Sequence, residues 1–510
     1  MAPFSSQNTN GSTYDFVIIG AGLGGLFSGL ILAKEGFNVI ILEKNKQLGG
    51  ALQTFALDKK VFDSCVHYIG DLKAGSTLHR LFQYAGIYED LQLQALNENG
   101  FDQIQFSNEP TTYPLANGHE NFIEQLLPFF PNEKNNLRLW QKHLTDINSH
   151  FHLYHLKNGS ATDKNKVTSL SLTNDLNTFI PNKKLQAVLT GNSLLYTGQQ
   201  KITPTYLHSL VTESYVRSAH KIKPGSSEIA KALHRQLLKN GATIYKNAEV
   251  TKLNGKNKTI EYAQLDSGEK IYGKNFISNV HPQALNQILD PAFLKPAYRK
   301  RIQGLPQTPA PFLINLSLKS KSVPHQNWNT YWHQDEQTLK TENTQNTWPH
   351  TLALYYNEAA DHPGFSESLS VLTYADFHWM APFHNTYNHS GNEADRGEQY
   401  HQLKDRLSEK VLKKIVQIRP ELDKNIKKIS SASPLTFRDY LHKPMGTIYG
   451  QKKDVQHLTH SSMAVRTPVS NLYQTGENIN LHGVLGVCIT ALATCGELVG
   501  LDYLLKKVNG

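Results

Sequence analysis

Short apolar runs separated by glycines mark the first 50 residues of the chain. Phe16–Ile19 and Asn38–Leu42 have the length and composition of buried strands, and Leu26–Ala33 between them has those of a buried helix. Three glycines with the spacing G-x-G-x-x-G lie between the first strand and the helix: Gly20, Gly22 and Gly25. The pattern predicts a strand–turn–helix–strand unit, which is typical of an α/β fold with a parallel sheet.

This unit has the features of a dinucleotide-binding site. Gly20 makes the tight turn, Gly22 lets the backbone approach a pyrophosphate, and Gly25 lets the helix pack on the strand. The helix N-terminus supplies free N–H groups and the positive end of a dipole for the phosphates. Glu43 follows the second strand, where its carboxylate can accept hydrogen bonds from both hydroxyls of an adenosine ribose. Four neighbours complete the predicted contacts of this part: Ala21, Leu23, Gly24 and Lys44.

The same stretch has a second interpretation as a membrane span. Residues 16–33 are 18 uncharged residues, which is the length at which such a span must be considered. However, the stretch contains five glycines, and no basic residue precedes it. We therefore interpret it as part of a folded domain.

Strand and helix patterns return in the second half of the chain. Phe312–Leu318 alternates apolar and polar side chains, which predicts a strand of a sheet with one apolar face. Near the C-terminus a strand from Asn471 ends at Glu477, and Gly483 begins a long apolar helix. Many aromatic side chains of this half suit either the core of a sheet or the wall of an apolar pocket: Trp328, Tyr331, Trp332, Tyr355, Tyr356, Tyr374, Phe377 and Trp379.

Composition narrows the class of protein. The 510 residues are 39% hydrophobic and 19% charged, which predicts two or three soluble domains. The net charge of +9 suits an anionic lipid surface, while the lack of an arginine-rich stripe or nucleic-acid motif predicts no nucleic-acid partner. Three cysteines without a CxxC motif favour a reduced, cytoplasmic compartment. Residues 1–13 lack the apolar segment of a signal peptide, and we expect a disordered tail.

The segments Val17–Gly25, Leu42–Lys44 and Leu48–Gly50 together carry a family resemblance. They are similar to the FAD-binding start of the phytoene desaturase, carotenoid isomerase and retinol saturase superfamily. Gly49 and Gly50 are a second glycine pair, and Ala51 takes the place of the basic or small residue that usually follows it. The resemblance implies FAD as the cofactor, with Leu52 also in contact with it.

The resemblance also implies the architecture. The expected fold is α/β, with a discontinuous Rossmann-like FAD-binding domain in an amine-oxidase-like, GDI-like two-domain arrangement. That domain would comprise residues 1–100, 222–300 and 431–510. An α+β substrate domain built on an antiparallel sheet would comprise residues 101–221 and 301–430.

Further contacts follow from the resemblance. A family segment of the form Ala-x-Val lies against the adenine, and Ala248–Val250 matches it, so Val250 is the expected adenine contact. Glu477 would hold the ribityl hydroxyls, and the N-terminus of the last long helix would face the flavin ring. The remaining contacts expected there are Gly476, Gly486 and Val487.

Three segments resemble the retinol saturase branch more than the phytoene desaturase branch: Gly225–Ala230, Ser433–Thr436 and Gly446–Gly450. They imply an FAD-dependent oxidoreductase that saturates a carbon–carbon double bond of a long apolar polyene, of retinoid or carotenoid type. Polyene desaturation, cis–trans isomerisation and amine oxidation remain alternative reactions. A non-catalytic lipid carrier of the Rab GDP-dissociation-inhibitor type remains the alternative of a different class.

Partners follow from the same interpretation. An apolar substrate would be taken from a membrane by peripheral contact. The sequence contains a single strand–G-x-G-x-x-G–helix unit, so we expect an external electron donor or acceptor.

No catalytic residue follows from a motif. His67, Tyr449 and His482 are the polar side chains that we expect to reach the flavin ring, although His67 also suits a packed, hydrogen-bonded position and His482 departs from the family pattern. His152 and His155 could share a helix face, but no third ligand accompanies them, and we predict no metal site.

Overall fold

A computed structural model describes residues 13–160, 162–340, 344–388, 395–458 and 463–510. All but the last residue of the expected disordered tail lies outside the described residues.

The described residues contain 19 strands and 14 α-helices. The strands are β1 (Tyr14–Ile19), β2 (Val39–Glu43), β3 (Thr54–Leu57), β4 (Lys60–Asp63), β5 (Ile69–Gly70), β6 (Gln92–Ala95), β7 (Asp102–Phe106), β8 (Thr112–Leu115), β9 (Ala219–Lys223), β10 (Thr243–Lys246), β11 (Val250–Lys256), β12 (Thr259–Leu265), β13 (Lys270–Ser278), β14 (Ala310–Leu318), β15 (Asn329–His333), β16 (Thr351–Glu358), β17 (Ser366–Ala375), β18 (Ile426–Ala432) and β19 (Leu472–Gln474). The helices are α1 (Leu23–Lys34), α2 (Thr77–Ala85), α3 (His119–Leu126), α4 (Lys134–Ser149), α5 (Leu172–Phe179), α6 (Lys183–Leu189), α7 (Thr205–Arg217), α8 (Ser227–Lys239), α9 (Pro282–Ile288), α10 (Pro296–Gln303), α11 (Glu398–Ile418), α12 (Pro434–Leu441), α13 (Gly483–Val499) and α14 (Leu501–Asn509).

The first large sheet joins three distant parts of the chain. Strands β10, β2, β1, β13 and β19 are neighbours in that order and run parallel, while β12 and β11 extend the sheet antiparallel from the first half of β13. The carboxyl ends of the parallel strands therefore meet at one edge. Ligands of such sheets bind outside that edge.

Helices α1 and α13 bring the two ends of the chain together. Eleven of the twelve residues of α1 are buried, and α1 packs against α13 and α8. The buried thiol of Cys495 in α13 lies 3.5 Å from the carbonyl oxygen of Ser28 in α1. The turn that begins α1 and the turn that begins α13 consequently lie on the same side of the first sheet.

The second large sheet has the strand order β18-β14-β17-β16-β15-β7-β8. All its pairings are antiparallel except that of β15 with β7. Helix α11 covers one face, and the buried Tyr356 of β16 packs in the cluster on that side. Tyr355, its neighbour in the strand, points to the opposite face and joins the cluster that also contains α1 and α13.

Strand β14 differs from its predicted pattern in one respect. The alternation predicted one apolar face, yet all nine residues of β14 are buried. Asn315 and Ser317 on its other face satisfy their polar atoms through Ser370 Oγ and Asp58 Oδ2, respectively. Polar residues on a strand therefore did not mark a solvent face here.

The division into domains stays a proposal, and β18 of the second sheet crosses its proposed boundary between residues 430 and 431. The first sheet draws its strands from residues 14–43, 243–278 and 472–474. The second draws on 102–115, 310–375 and 426–432.

Candidate functional site

A cavity of about 240 Å³ lies at the carboxyl edge of the first sheet. Its wall combines the turn before α1, the end of β2, the start of β11 and the turn after β19. Fourteen of the predicted cofactor contacts line it: Gly20, Gly22, Leu23, Gly24, Glu43, Lys44, Gly49, Gly50, Ala51, Leu52, Val250, Gly476, Glu477 and Val487. The structure thus brings together residues from both ends of the chain, while their contact with a cofactor stays a prediction.

Three predicted contacts do not line this cavity: Ala21, Gly25 and Gly486. The Ala21 N–H donates a hydrogen bond of 2.8 Å to Glu43 Oε2. A Cβ atom added at Gly25 would lie 2.1 Å from the Gly20 carbonyl oxygen, and one at Gly486 would lie 2.6 Å from that of Leu481. These residues support the two turns, and Gly25 permits the close packing of α1 that its place in the motif predicts.

Glu43 is held at the cavity wall by two backbone hydrogen bonds. Its side chain is buried, and its second oxygen accepts a 2.8 Å hydrogen bond from the Asn45 N–H. Burial raises the pKa of Glu43, while the two backbone N–H groups and the nearby Lys44 oppose this shift. A carboxylate has about four acceptor sites, so acceptor capacity remains for ribose hydroxyls.

Asn279 lies at the centre of a cradle of glycines that sequence reasoning missed. A Cβ added at Gly22 would lie 2.7 Å from Asn279 Nδ2, and one at Gly24 or Gly476 would lie 2.5 Å or 2.7 Å from Asn279 Oδ1. Only residues without side chains leave room for Asn279 and for a narrow ligand such as a pyrophosphate. Asn279 directly follows β13, so the rule that ligands bind at the ends of parallel strands could have found it.

Lys443 was also missed, and no local pattern marks it. It follows α12, lines the same cavity and places Nζ 2.7 Å from Glu477 Oε1. Lys443 Nζ also donates to the Ile448 carbonyl oxygen at 2.9 Å. The ion pair fixes the Glu477 carboxylate at the cavity wall, where the ribityl chain is expected.

A second cavity of about 100 Å³ adjoins the first. Both are lined by Cys65, Val66, Tyr449, Gly483 and Val484, so they meet at the N-terminus of α13. Most other lining side chains are apolar or aromatic, and no Asp, Glu, Lys or Arg is found among the described residues of this wall. The second cavity therefore offers apolar surface and neutral polar groups beside the end of the first.

The three predicted catalytic candidates all line the second cavity. Tyr449 and His482 stack with ring centroids 4.0 Å apart, and His482 Nε2 lies 2.9 Å from the Leu195 carbonyl oxygen. His67 stacks on Tyr355 with centroids 4.3 Å apart, and its buried Nε2 has no hydrogen-bond partner among the described residues. Burial lowers the pKa of His67 to about 3 and that of His482 to about 4, and it raises the pKa of Tyr449. All three side chains are consequently neutral at neutral pH.

His152 and His155 point to separate partners. His152 Nε2 lies 2.9 Å from Asp163 Oδ2, and His155 Nε2 lies 3.1 Å from the Asn148 carbonyl oxygen. Across the described ranges, no group of three or more His, Cys, Asp or Glu residues is arranged to hold a metal ion. Within the same ranges, no helix combines the length with the apolar character that a bilayer crossing demands.

Comparisons with known proteins agree with this geometry. The family model described as an NAD(P)-binding Rossmann-like domain matches residues 18–85. An all-trans-retinol 13,14-reductase of Danio rerio is 24% identical over 95% of this chain and 86% of its own length. A 4,4′-diapophytoene desaturase of a Methylomonas species is 23% identical over 62% of this chain and 63% of its own length. This chain is a relative of both groups of oxidoreductases.

The same similarity extends to solved structures. Wild-type putrescine oxidase bound to putrescine matches with a TM-score of 0.61 and 13% identity, covering 96% of this chain and 99% of that one. At this identity the match shows the fold alone. The predicted amine-oxidase-like architecture, the resemblance to retinol saturases and carotenoid desaturases, and the oxidoreductase class are confirmed. The matched family model is that of a Rossmann-like dinucleotide-binding domain.

Proposed function

We propose that the chain is an FAD-dependent oxidoreductase that adds hydrogen across one carbon–carbon double bond of a long apolar polyene, such as a retinoid or carotenoid. The observation that carries this proposal is the second cavity, which is aromatic, has no charged side chain among its described lining residues and adjoins the first cavity at the N-terminus of α13.

The shape of the first cavity supports FAD as the cofactor. The glycine turn and Glu43 suit an adenosine diphosphate at one end, and Glu477 with the N-terminus of α13 suits a ribityl chain and flavin ring at the other. When bound, the flavin would supply hydride exchange with a carbon atom of the substrate. The positive end of the α13 dipole would stabilise negative charge on the ring.

The lining of the second cavity supports a neutral, apolar substrate over an amine. An ammonium group that entered this cavity would lose its hydration and find no carboxylate partner among the described lining residues. Burying an unpaired charge is strongly unfavourable. The cavity therefore favours a polyene, although an amine oxidase shares the fold.

The direction of the reaction rests on the relatives. The 13,14-reductase of Danio rerio matches 95% of the chain, whereas the diapophytoene desaturase matches 62%. Saturation needs two electrons per turnover from an external donor, a nicotinamide or a partner protein. Desaturation and cis–trans isomerisation are the alternatives. Desaturation would transfer electrons to an external acceptor, whereas isomerisation involves no net transfer of electrons.

The low solubility of a polyene in water bears on where the protein acts. We propose that the protein acts in the cytoplasm, in peripheral contact with a membrane that dissolves the polyene. The net charge of +9 would favour anionic lipid. Co-sedimentation with anionic liposomes at low salt, compared with neutral liposomes, tests this contact.

An anaerobic experiment tests the function. The protein is reconstituted with FAD, reduced chemically and mixed with retinol. We expect the flavin to be reoxidised while the polyene loses one conjugated double bond. Reduction of the oxidised protein by a more saturated polyene would establish desaturation instead, and turnover of a small amine without polyene turnover would establish amine oxidation. A protein that binds no FAD would point to a lipid carrier.

A further inference from the structure

A chain of buried hydrogen bonds leads from a carboxyl group to the second cavity. The Tyr68 hydroxyl donates to Asp102 Oδ2 at 2.9 Å and lies 2.8 Å from the Tyr331 hydroxyl. The Tyr331 hydroxyl in turn lies 3.3 Å from that of Tyr355. Tyr68 and Tyr355 line the cavity, while Tyr331 and Asp102 lie behind them and have no exposed surface.

Asp102 is surrounded by neutral donors. Its other hydrogen bonds come from the side-chain amides of Asn192, at 3.1 Å to Oδ2, and Asn329, at 3.0 Å to Oδ1. No Lys, Arg or His of the described residues forms an ion pair with it. A buried carboxyl group without a cationic partner binds a proton more readily than one in water.

The wider surroundings of Asp102 contain one cation. Burial raises the pKa of Asp102 to about 6, although its three hydrogen-bond donors and the positive charge of Lys221 lower it. Lys221 of β9 is itself buried, its Nζ donates to the Tyr356 carbonyl oxygen, and burial lowers its pKa to about 7. Near neutral pH the carboxyl group can therefore both take up and release a proton.

Tyr355 is the member of this chain best placed to act on a substrate. The titratable rings around it are His67, stacked on one face, and the phenols of Tyr68, Tyr215, Tyr331, Tyr374 and Tyr449. Burial lowers the pKa of His67 too far for it to carry a second proton at neutral pH. Burial has the opposite effect on Tyr355, since it raises the pKa and keeps the phenol protonated.

We propose that Tyr355 is the catalytic acid that protonates the substrate carbon in the second cavity, and that Asp102 is a positioning residue that resupplies this proton through Tyr68 and Tyr331. The inference rests on the proposed saturation.

The proton and electron count of this step is complete. The π bond of the substrate breaks, and two C–H bonds form. One carbon takes a hydride, which the proposed function assigns to reduced flavin and, before it, to the external two-electron donor. The other carbon takes the proton of the Tyr355 hydroxyl. The phenolate regains a proton from Tyr331, Tyr331 from Tyr68, and Tyr68 from the protonated form of Asp102, and the net uptake of one proton from water per turnover balances the step.

Two neighbouring tyrosines in β16 provide a matched test. Tyr355→Phe removes the hydroxyl and keeps the ring stacked on His67. Tyr356→Phe makes the same change on the opposite face of the strand, where the Tyr356 hydroxyl accepts from Arg419 Nη1 at 3.1 Å. General acid catalysis contributes about 10²–10⁴-fold. We expect Tyr355→Phe to slow saturation of retinol by about that factor, with unchanged affinity for FAD and retinol, and Tyr356→Phe to stay within about threefold of the wild type.

Asp102→Asn tests the resupply, because its amide oxygen can still accept from Tyr68 while the titrating group is removed. We expect the wild-type rate of saturation to depend on a group with a pKa near 6 and this dependence to be lost in Asp102→Asn. In the protein without cofactor, pH-difference infrared spectroscopy should show a buried protonated carboxyl that is absent from the variant. Asp63→Asn is the control, since burial also raises the pKa of Asp63 to about 6 but its carboxylate accepts from Ser226 instead.

The results distinguish a failure of this inference from a failure of the proposed function. A Tyr355→Phe enzyme within threefold of the wild type, or an infrared difference spectrum that Asp102→Asn leaves unchanged, would overturn the inference while the proposed function stands. A wild-type protein that saturates no polyene would overturn the proposed function, and the inference with it.

Discussion

Glu43→Gln is the most informative single change in the cofactor cavity. The carboxylate accepts two backbone hydrogen bonds of 2.8 Å, from Ala21 on the glycine turn and from Asn45 beyond β2. Glutamine has nearly the same shape but offers one oxygen and one N–H₂ group. The substitution therefore leaves one of the two buried N–H groups facing a donor, and it removes the charge that would hold the ribose hydroxyls.

The expected loss of FAD affinity follows from these bonds. A hydrogen bond to a charged group contributes about 1.5–3 kcal/mol. Since about 1.4 kcal/mol corresponds to a tenfold change in Kd, losing the charge at the ribose should raise the Kd for FAD by about 10- to 150-fold. The unpaired N–H should also lower the free energy of unfolding by about 1–3 kcal/mol.

Titration of the cofactor-free protein with FAD, followed by flavin fluorescence, measures this Kd. Glu249→Gln is the matched control, because Glu249 lines the same cavity beside Val250 but its carboxylate accepts no backbone N–H in the described structure. We expect its Kd to stay within about threefold of the wild type. A similar loss in both variants, or a change below threefold in Glu43→Gln, would refute the assignment of Glu43 to the ribose.

Three further predictions concern stability. Gly25→Ala should lower the free energy of unfolding by about 1–3 kcal/mol, because its Cβ would lie 2.1 Å from the Gly20 carbonyl oxygen; urea denaturation measures it. Asp439→Asn should lower the free energy of unfolding by about 3–5 kcal/mol in the same assay, because it leaves the buried Arg396 without its ionic partner. The third prediction concerns pH. Burial lowers the pKa of the fully buried His333 to about 4. As the pH falls from about 6.5 to about 4, the unfolded chain binds a proton there that the folded chain excludes, so His333 alone should lower the free energy of unfolding by up to about 1.4 kcal/mol per pH unit. The buried His67 and His482 add to this fall, and the urea midpoint at pH 7, 5.5 and 4.5 follows the sum.

The two substitutions have matched controls. A Cβ at Gly304 would meet no backbone atom closer than 3.4 Å, so Gly304→Ala should be nearly neutral. Asp376 is half-exposed and forms its ion pair with His378, so Asp376→Asn should lower the free energy of unfolding by less than about 1 kcal/mol. Equal effects in variant and control, or a urea midpoint independent of pH, would contradict the corresponding prediction.

Local sequence predicted the parts of the site that are built locally. The turn from Gly20 to Gly25 and the acid at Glu43 are close together in the chain, so their spacing carries the geometry directly. Asn279 and Lys443 enter the cavity from distant segments, and only the packing of strands and loops reveals them. Tyr68 and Tyr331 are 263 positions apart, so their hydrogen bond has no signature in the sequence.

The aromatic residues of the second half show the same limit. Their number predicted either a sheet core or a pocket wall, and β16 provides both: Tyr356 packs in the core under α11, while its neighbour Tyr355 lines the second cavity. Strand periodicity separates the two faces, but it does not say which face meets a cavity. That depends on the helices and turns that cover each face.

The two cavities differ in charge, and this difference accounts for how one fold supports several reactions. Glu43, Lys44, Lys443 and Glu477 all line the cofactor cavity, and no charged residue of the described chain lines the second. Binding of a dinucleotide needs fixed charges and glycine turns such as those of the first cavity. Every enzyme with this fold and cofactor would therefore need similar features there. Under the proposed function, substrate choice would depend on second-cavity side chains that do not line the first cavity, such as Tyr355 and Leu372 of the second sheet and residues 67–70. We therefore expect substitutions on the cavity face of β16 to alter substrate preference while leaving the affinity for FAD unchanged.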